Sequence, residues 1–347
     1  MAFRFSGCYT AVITPFDEAL VDWEAIRQLA DFQRAQGVQG VVPAGTTGES
    51  PTLTWDEHHR VIEAYLEEVG ANVETVAGTG SNSTDESLEA TRRVADEGIT
   101  AVLLVDPYYN GPSSLEIRRE YYEPIARAFP EVQVIPYIIP GRTGTQMLPQ
   151  DLAILSRDCS NVTCVKEATG SEENARLTRT LCGPGFSIMS GDDDRTLAMM
   201  RDGAIDSSGV ISVISNVVPG AVQRMTAAAL AKDWTTADSM GRALQPLFGL
   251  VTVKVDEPTP FGSVPVKSRN PVGVKTMMNV LGMPAGPARR PLGRVSRGGM
   301  AVILNALRKV WANNPEILEP IERAFDVDIA DRLENTKYIE GLFYDGY

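Results

Sequence analysis

Short apolar runs alternate with amphipathic stretches along the first two thirds of the chain. Eight runs have the length and β-branched content of buried strands: residues 9–13, 38–43, 73–77, 101–105, 132–137, 162–167, 186–190 and 207–213. Between them, helical spacing of apolar residues recurs at 23–36, 55–69, 85–97, 115–129, 149–157, 172–182 and 195–202. Eight strands separated by helices predict an α/β fold, the (β/α)8 TIM barrel, since a doubly wound sheet more usually has fewer strands.

The alternation stops after about residue 219. Residues 221–247, 275–281 and 297–312 are predicted helices, and residues 255–269, rich in proline and polar residues, are predicted to form a loop or arm. Residues 313–347 are acidic with scattered aromatics, which suits either a solvated tail or a segment packed on another subunit. We therefore predict a catalytic barrel over 1–220, a C-terminal helical segment over 221–312 and an extension over 313–347.

Composition and charge exclude several classes of protein. A chain that is 43% hydrophobic and 22% charged is globular, and its net charge of -13 argues against nucleic acid or an anionic membrane as a partner. No apolar run approaches the ~18 residues of a membrane span, and no export signal opens the chain. Four cysteines in 347 residues do not make a disulfide framework, so a cytoplasmic protein with reduced thiols is expected.

Distinctive residues follow the predicted strands, where a TIM barrel places its chemistry. They occur at 45–49, 108–110, 141–144, 166, 191–194 and 209–211. Lys166 ends an apolar run, and burial would lower its pKa and leave a neutral amine that can attack a carbonyl. The alternative is that Lys166 marks the solvated end of a strand.

The sequence Gly-Thr-Thr-Gly-Glu-Ser at 45–50 combines glycines, hydroxyls and backbone N–H groups that can bind a carboxylate or phosphate. The alternative is a strand-to-helix turn, with Thr54 as the helix N-cap and Glu57 completing a capping box. The loop lacks the ending of a Walker motif. Residues 78–80, Gly-Thr-Gly, lack the third glycine of a dinucleotide fingerprint, so no nucleotide cofactor is predicted.

Two tyrosines and one arginine complete the set of polar residues near the predicted strand ends. Tyr109 and Tyr137 could relay protons if a threonine hydroxyl holds them, or they could be interfacial aromatics. Arg142 offers a fork that suits a carboxylate, or it makes a surface salt bridge. The three acids at 192–194 point in different directions and favour the start of the next helix, so no metal site is predicted.

These residues together resemble the dihydrodipicolinate synthase family, pyruvate-dependent Schiff-base aldolases that also include N-acetylneuraminate lyase. The resemblance extends from about Gly7 to about Ala312. It depends on the motifs at 45–49, 107–110, 140–144, 166–170, 190–193 and 209–213. The resemblance implies a lyase with pyruvate and an aldehyde as substrates and no metal or cofactor. It also implies a homotetramer or dimer of dimers.

By this resemblance, Lys166 condenses with pyruvate to an imine, and the enamine form attacks L-aspartate-4-semialdehyde on the route to diaminopimelate and lysine. Thr46, Tyr137 and Tyr109 would relay protons, with Tyr109 contributed by a neighbouring subunit. Arg142 would bind the carboxylate of the semialdehyde. Thr46 and Thr47 would hold the carboxylate of pyruvate, and the implied substrate-binding residues are Thr47, Arg142, Gly191 and Ile211.

The family's lysine feedback site is partly matched, by Ser50, His58, Asn82, Glu86 and Tyr108, which could equally form an ordinary subunit interface. Three positions depart from the family pattern: Asp106, Pro136 and Ile138. Because these departures lie near the implied relay, two alternatives stay open. One is an aldolase or lyase for a different aldehyde or sugar acid, and the other is a non-catalytic barrel that binds a keto acid.

Overall fold

Nine short parallel strands form one sheet in this computed structural model, which describes residues 5–347; the first four residues of the predicted barrel segment lie outside the described part. In hydrogen-bonded order the strands are Glu74–Thr75, Gly40–Val41, Gly7–Thr10, Gly209–Ser212, Ser187–Ser190, Cys164–Glu167, Gln133–Ile138, Ala101–Val105 and Ala77–Gly78. The two ends of this order are consecutive in the chain and separated only by Val76. The sheet therefore closes into a barrel. With 74–75 and 77–78 counted as one, it has the eight predicted strand positions, which we call staves.

Helices connect the staves at the predicted places. They are Trp23–Ala35, Trp55–Val69, Thr84–Asp96, the continuous run of Ser114–Glu116, Ile117–Tyr122 and Glu123–Ala128, then Pro149–Asp158, Glu172–Cys182, Thr196–Arg201 and Pro219–Leu230. Local sequence explains where they begin. Thr54 accepts a hydrogen bond from the Glu57 N–H, while the Glu57 carboxylate accepts one from the Thr54 N–H, which is the predicted capping box.

The prediction of one helix over 221–247 is wrong. The structure has two helices, Pro219–Leu230 and Trp234–Phe248. Lys232 between them has a φ of 60°, in the left-handed region that ends helices, and the Asp233 side chain accepts a hydrogen bond from the Thr236 N–H to start the second one. Helices Val272–Leu281 and Arg297–Asn313 follow and confirm the other two predictions.

The prediction of a loop or arm over 255–269 is also wrong, because these residues belong to an antiparallel hairpin. Its strands are Thr252–Thr259 and Gly262–Arg269, and we call residues 252–269 the hairpin. Both strands are edges of a two-stranded sheet, which tolerates proline where the ring faces solvent. Pro258 and Pro265 both lie on the exposed face.

The extension from residue 313 packs on its own chain, so the solvated tail, one of the two alternatives, is wrong. It contains the short helices Pro315–Ile317, Glu319–Phe325, Ile329–Glu334 and Thr336–Tyr338. Leu318, Ile321, Ile329 and Leu333 are buried in the same apolar cluster as residues of helices Val272–Leu281 and Arg297–Asn313. Near the C-terminus, the Tyr344 N–H donates to the Val295 carbonyl at 3.0 Å.

One large apolar cluster joins the barrel to the C-terminal helices. It includes Ile26 and Val41 from the barrel, Met278 and Ile303 from the later helices, and Leu333 from the extension. The predicted boundaries at 220 and 312 stay predictions. Within residues 5–347, no helix has both the length and the apolar character that crossing a bilayer requires.

Candidate active site

A cavity of about 200 Å³ lies at the carboxyl ends of the barrel strands. Its walls come from four neighbouring staves and the loops that follow them, and they include Gly45, Thr46, Ser50, Gly80, Val105, Tyr108, Tyr137 and Arg142. Predicted rim residues from three separate motifs, at 45–46, 108 and 142–143, therefore meet in this cavity. The site depends on closure of the sheet, because the stave at 74–78 completes the wall.

Lys166 lies on strand Cys164–Glu167 and is only 4% exposed, so it does not mark a solvated strand end. Its Nζ lies 4.1 Å from the centre of the Tyr137 ring, and Tyr137 lines the cavity. Burial lowers the pKa of Lys166 to about 8, a shift that the nearby Asp193 and Asp192 charges oppose. At that pKa roughly a tenth of the amine is neutral, and hence nucleophilic, at pH 7, far more than for an ordinary lysine.

Gly191 directly follows strand Ser187–Ser190, the neighbour of the lysine strand, and Ile211 lies one strand further round the barrel. A Cβ at Gly191 would lie 2.7 Å from the Ala168 Cβ and 3.3 Å from the Lys166 Cε, so only glycine leaves the lysine side chain its room. Ile211 is buried on strand Gly209–Ser212. Gly191 thus leaves space for the lysine side chain, and Ile211 packs in the same apolar cluster as Tyr137.

Of the three acids at 192–194, Asp193 uses its carboxylate for hydrogen bonds within the protein. Asp193 is buried and accepts hydrogen bonds from the Ser212 hydroxyl, the Val213 N–H at 3.0 Å and the Ile214 N–H at 3.3 Å. These donors occupy both of its carboxylate oxygens. Asp193 therefore fixes the start of the segment after strand Gly209–Ser212 and adds a negative charge near Lys166.

Tyr137 is the phenol next to the amine. Burial raises its pKa to about 12, while the charge of Arg142 and a hydrogen bond with Thr46 act in the opposite direction. The phenol therefore stays protonated at neutral pH and can donate a proton or a hydrogen bond. The structure brings Thr46, Tyr137, Lys166 and Arg142 together as the sequence predicted.

Thr47 is buried, and its hydroxyl oxygen accepts a hydrogen bond from Asn270 Nδ2 at 2.9 Å. This bond leaves the hydroxyl hydrogen free to be donated to an anion. Asn270 also contacts the other end of the site, because Arg142 Nη2 donates to its backbone carbonyl at 3.0 Å. Sequence reasoning missed Asn270, whose only local signal is its place before Pro271 at the end of a polar stretch.

Glu49 fixes the loop at 45–50 through hydrogen bonds to residues that are distant in sequence. Its buried carboxylate accepts hydrogen bonds from Lys275 Nζ at 2.7 Å and from the Arg289 N–H at 2.8 Å. Glu49 has a φ of 60°, a conformation that a non-glycine residue adopts only when its surroundings hold it there. The partners lie more than two hundred residues away in sequence, and for this reason the sequence did not reveal the pair.

Tyr109, the third residue of the implied relay, does not line the cavity within a single chain. It is 92% exposed with a φ of 76°, whereas the preceding Tyr108 lines the cavity. A bulky residue in this backbone region is strained. Within one chain the hydroxyl of Tyr109 therefore does not join Thr46 and Tyr137.

Four of the five predicted feedback residues line one of two cavities, and Asn82 lines neither. Ser50 and Tyr108 line the active-site cavity, and the side-chain oxygen Oδ1 of Asn82 accepts a hydrogen bond from the Tyr108 N–H at 2.7 Å. His58 and Glu86 line a second cavity of about 370 Å³. Burial lowers the pKa of His58 to about 4, so this imidazole is neutral at physiological pH.

The residues that depart from the family pattern are buried within the barrel. Asp106 accepts hydrogen bonds from the Tyr122 hydroxyl at 2.8 Å and the Met147 N–H at 3.0 Å, and burial raises its pKa to about 7. Pro136 and Ile138 lie on strand Gln133–Ile138 on either side of Tyr137. Their side chains point to the opposite face of the strand from Tyr137, and Ile138 packs in a different apolar cluster from the tyrosine.

Residues 4–309 match the sequence model of the dihydrodipicolinate synthetase family. The chain belongs to this family. The 4-hydroxy-tetrahydrodipicolinate synthase of Geobacter sulfurreducens is 40% identical over 305 residues, which cover 88% of this chain and 98% of the relative. The resemblance found in the motifs is thus confirmed over the whole barrel and most of the C-terminal segment.

Solved structures of family members have the same fold. The 4-hydroxy-tetrahydrodipicolinate synthase of Methylacidiphilum fumariolicum superposes with a TM-score of 0.81 at 31% identity, covering 93% of this chain and 100% of that one. The dihydrodipicolinate synthase of Cyanidioschyzon merolae, solved with lysine bound, gives a TM-score of 0.79 at 32% identity and covers 88% of this chain and 98% of its own. These family members share the barrel and its C-terminal helices with this chain.

Proposed function

We propose that this chain is a 4-hydroxy-tetrahydrodipicolinate synthase that condenses pyruvate with L-aspartate-4-semialdehyde through a Schiff base on Lys166. The observation that carries the proposal is a buried lysine amine with a lowered pKa, in contact with the ring of a cavity tyrosine. The names of the family members support the same reaction. No metal or organic cofactor takes part in the steps proposed below.

The amine of Lys166 attacks C2 of pyruvate, water leaves, and an imine forms. Loss of a proton from C3 gives an enamine, whose C3 forms the new carbon–carbon bond with the aldehyde carbon. The amino group of the semialdehyde then displaces Lys166 from C2, which closes the ring and frees the enzyme. Each step needs a proton to be moved, and the protonated phenol of Tyr137 beside Thr46 suits that task.

Two anion sites suit the two substrates. The Thr47 hydroxyl, held by Asn270, and the backbone of the loop at 45–50 would hold the carboxylate of pyruvate. Arg142 at the other end of the cavity would bind the carboxylate of the semialdehyde, because a guanidinium fork matches a carboxylate. Gly191 and Ile211 would bound the pyruvate methyl group and the imine.

Tyr109 fits the proposed relay only if a second subunit supplies it. Its exposed side chain and strained backbone support a role across an interface, in a homotetramer or dimer of dimers. L-lysine is the proposed feedback ligand of Ser50, His58, Asn82, Glu86 and Tyr108, as the lysine-bound family structure suggests. The buried and half-buried free cysteines agree with a reducing compartment, and the cytoplasm is the proposed location.

Turnover with the aldehyde tests the proposal. Purified protein is given pyruvate and L-aspartate-4-semialdehyde, and product formation is followed by coupling to a reductase for the product. We expect turnover that needs both substrates, and borohydride trapping of pyruvate that falls when the semialdehyde is added. Trapping that the semialdehyde leaves unchanged, with no product, would favour an aldolase for a different aldehyde or sugar acid.

A further inference from the structure

The hairpin ends beside the arginine turn, residues 140–144, and its last residue is an arginine. Arg269 Nη1 donates a hydrogen bond to the Gly141 carbonyl at 3.0 Å. In return, Arg142 of the turn donates through Nη2 to the carbonyl of Asn270, the residue after the hairpin, also at 3.0 Å. These two bonds fasten the base of the hairpin to the turn that carries Arg142.

The two bonds also place the exposed Arg269 beside the turn that carries Arg142, and of the two arginines only Arg142 lines the cavity. Partial desolvation and the positive charge of Arg269 both lower the pKa of Arg142. Each group uses one described hydrogen bond and keeps other N–H donors available. In residues 5–347, neither arginine has a carboxylate within the 4.0 Å of an ion pair.

Two like charges without a counterion are energetically unfavourable. Acidic residues that can pair with arginines are abundant in the rest of the molecule. The chain has 45 Asp and Glu against 32 Lys and Arg, and most of its exposed arginines that form ion pairs do so with neighbours on the same helix or an adjacent one. A cavity arginine with a second, exposed arginine next to its turn and no carboxylate on either can receive an anion that enters from solution.

We infer that Arg269 is a specificity-determining residue that forms, together with Arg142, a two-guanidinium site for the carboxylate of the aldehyde substrate. The inference rests on the proposed function, since that reaction supplies a carboxylate-bearing aldehyde at this end of the cavity. Pyruvate, at the lysine and threonine end, does not use Arg269. The hairpin thus has a role in the reaction, because its last residue, Arg269, supplies the second guanidinium.

The test compares Arg269→Gln with Lys267→Gln. The glutamine amide can still donate to the Gly141 carbonyl, so the first variant removes the charge with least change to the turn. Lys267 lies two residues earlier on the same exposed face of the same strand and is the matched control. KM and kcat are measured for each substrate at low and at high salt, together with borohydride trapping of pyruvate.

For Arg269→Gln we expect the KM for the semialdehyde to rise about three- to tenfold, with a weaker salt dependence than in the wild type. The KM for pyruvate and the trapping rate should stay within about twofold of the wild-type values. The KM of Arg269→Lys for the semialdehyde should lie between those of Arg269→Gln and the wild type. Lys267→Gln should match the wild type in every measurement.

The inference is overturned if Arg269→Gln leaves the KM for the semialdehyde unchanged. It is also overturned if the KM values of both substrates rise alike, because that result indicates a structural role for the arginine. Failure of the proposed function looks different: the wild type itself would trap pyruvate and yet produce nothing with the semialdehyde. In that case both the proposed function and the role of Arg269 in binding the aldehyde substrate are wrong.

Discussion

Two buried lysines in this chain make an informative pair. Lys166 in the barrel is 4% exposed and Lys275 in helix Val272–Leu281 is 2% exposed. Each ammonium lies over an aromatic ring, at 4.1 Å from the centre of Tyr137 and 4.3 Å from the centre of Phe16, respectively. Burial lowers the pKa of each to about 8. By burial and pKa alone the two are the same.

Their surroundings differ. Lys275 donates to the Glu49 carboxylate at 2.7 Å and to the Pro287 carbonyl at 2.7 Å, so its donors are engaged in structure. Lys166 has no carboxylate within 4.0 Å among the described residues, and its nearest charged groups act from further away. The ring it touches belongs to a cavity wall. A lowered pKa marks burial, whereas an unpaired amine beside a cavity marks a nucleophile.

The largest expected effect separates the two lysines by activity. Lys166→Met should lower turnover by about a thousandfold or more, because no other amine can form the imine. Lys275→Met should keep the ability to trap pyruvate as long as the protein is folded. Steady-state turnover and borohydride trapping, with circular dichroism to monitor folding, check both variants. A folded Lys275→Met variant that no longer traps pyruvate would contradict the distinction.

The next effect concerns stability, for which the Lys275 variant, and not the Lys166 variant, should show the larger loss. Lys275→Met leaves the buried Glu49 carboxylate unpaired and should lower the free energy of unfolding by about 3–5 kcal/mol. Replacing both partners, Lys275→Met with Glu49→Met, should cost less than the single change. Lys166→Met should be neutral or stabilising, since it removes a buried charge without a close partner. Urea denaturation followed by fluorescence measures all three.

The pH dependence of imine formation sharpens the account of Lys166. Only the neutral amine attacks, so the trapping rate should rise about tenfold per pH unit below pH 8 and level off above it. Asp192 raises the pKa of Lys166, and Asp192→Asn should therefore move the curve to lower pH. Trapping rates between pH 6 and pH 10 test this. A midpoint near 10.5, the ordinary value for lysine, would rule out the buried amine.

The smallest effect concerns the anion site next to Lys166. Asn270→Ala removes the donor that orients the Thr47 hydroxyl and should raise the KM for pyruvate about three- to tenfold. Ser268→Ala, two residues earlier in the hairpin, is the control and should leave this KM unchanged. Initial rates at varied pyruvate concentration decide between the two results. An unchanged KM in Asn270→Ala would mean that Thr47 needs no partner.

The barrel could be predicted because its information is local. Each stave is an apolar run. In a TIM barrel the residues at or just after the ends of these runs, such as Thr46, Tyr137 and Lys166, lie at the same end of the barrel. What could not be predicted depends on pairs distant in sequence. Glu49 and Lys275 are paired only in three dimensions, and so are Thr47 and Asn270.

The hairpin shows how a composition rule can mislead. Pro258 and Pro265 predict a loop, yet Val253, Val255, Val264 and Val266 alternate with exposed residues in the pattern of strands. In an isolated two-stranded ribbon each strand has a free edge, so the prolines cost few hydrogen bonds. Tyr109 is a different case, since its proposed partners lie in another subunit and no single chain can show them.

Mapping the pyruvate adduct tests the central claim most directly. The protein is reduced with borohydride in the presence of pyruvate, digested, and analysed by mass spectrometry for lysines that carry the reduced adduct. The account predicts one modified residue, Lys166, with Lys275 unmodified although its pKa is lowered to the same value. An adduct on Lys275, or adducts spread over exposed lysines with Lys166 unmodified, would contradict it.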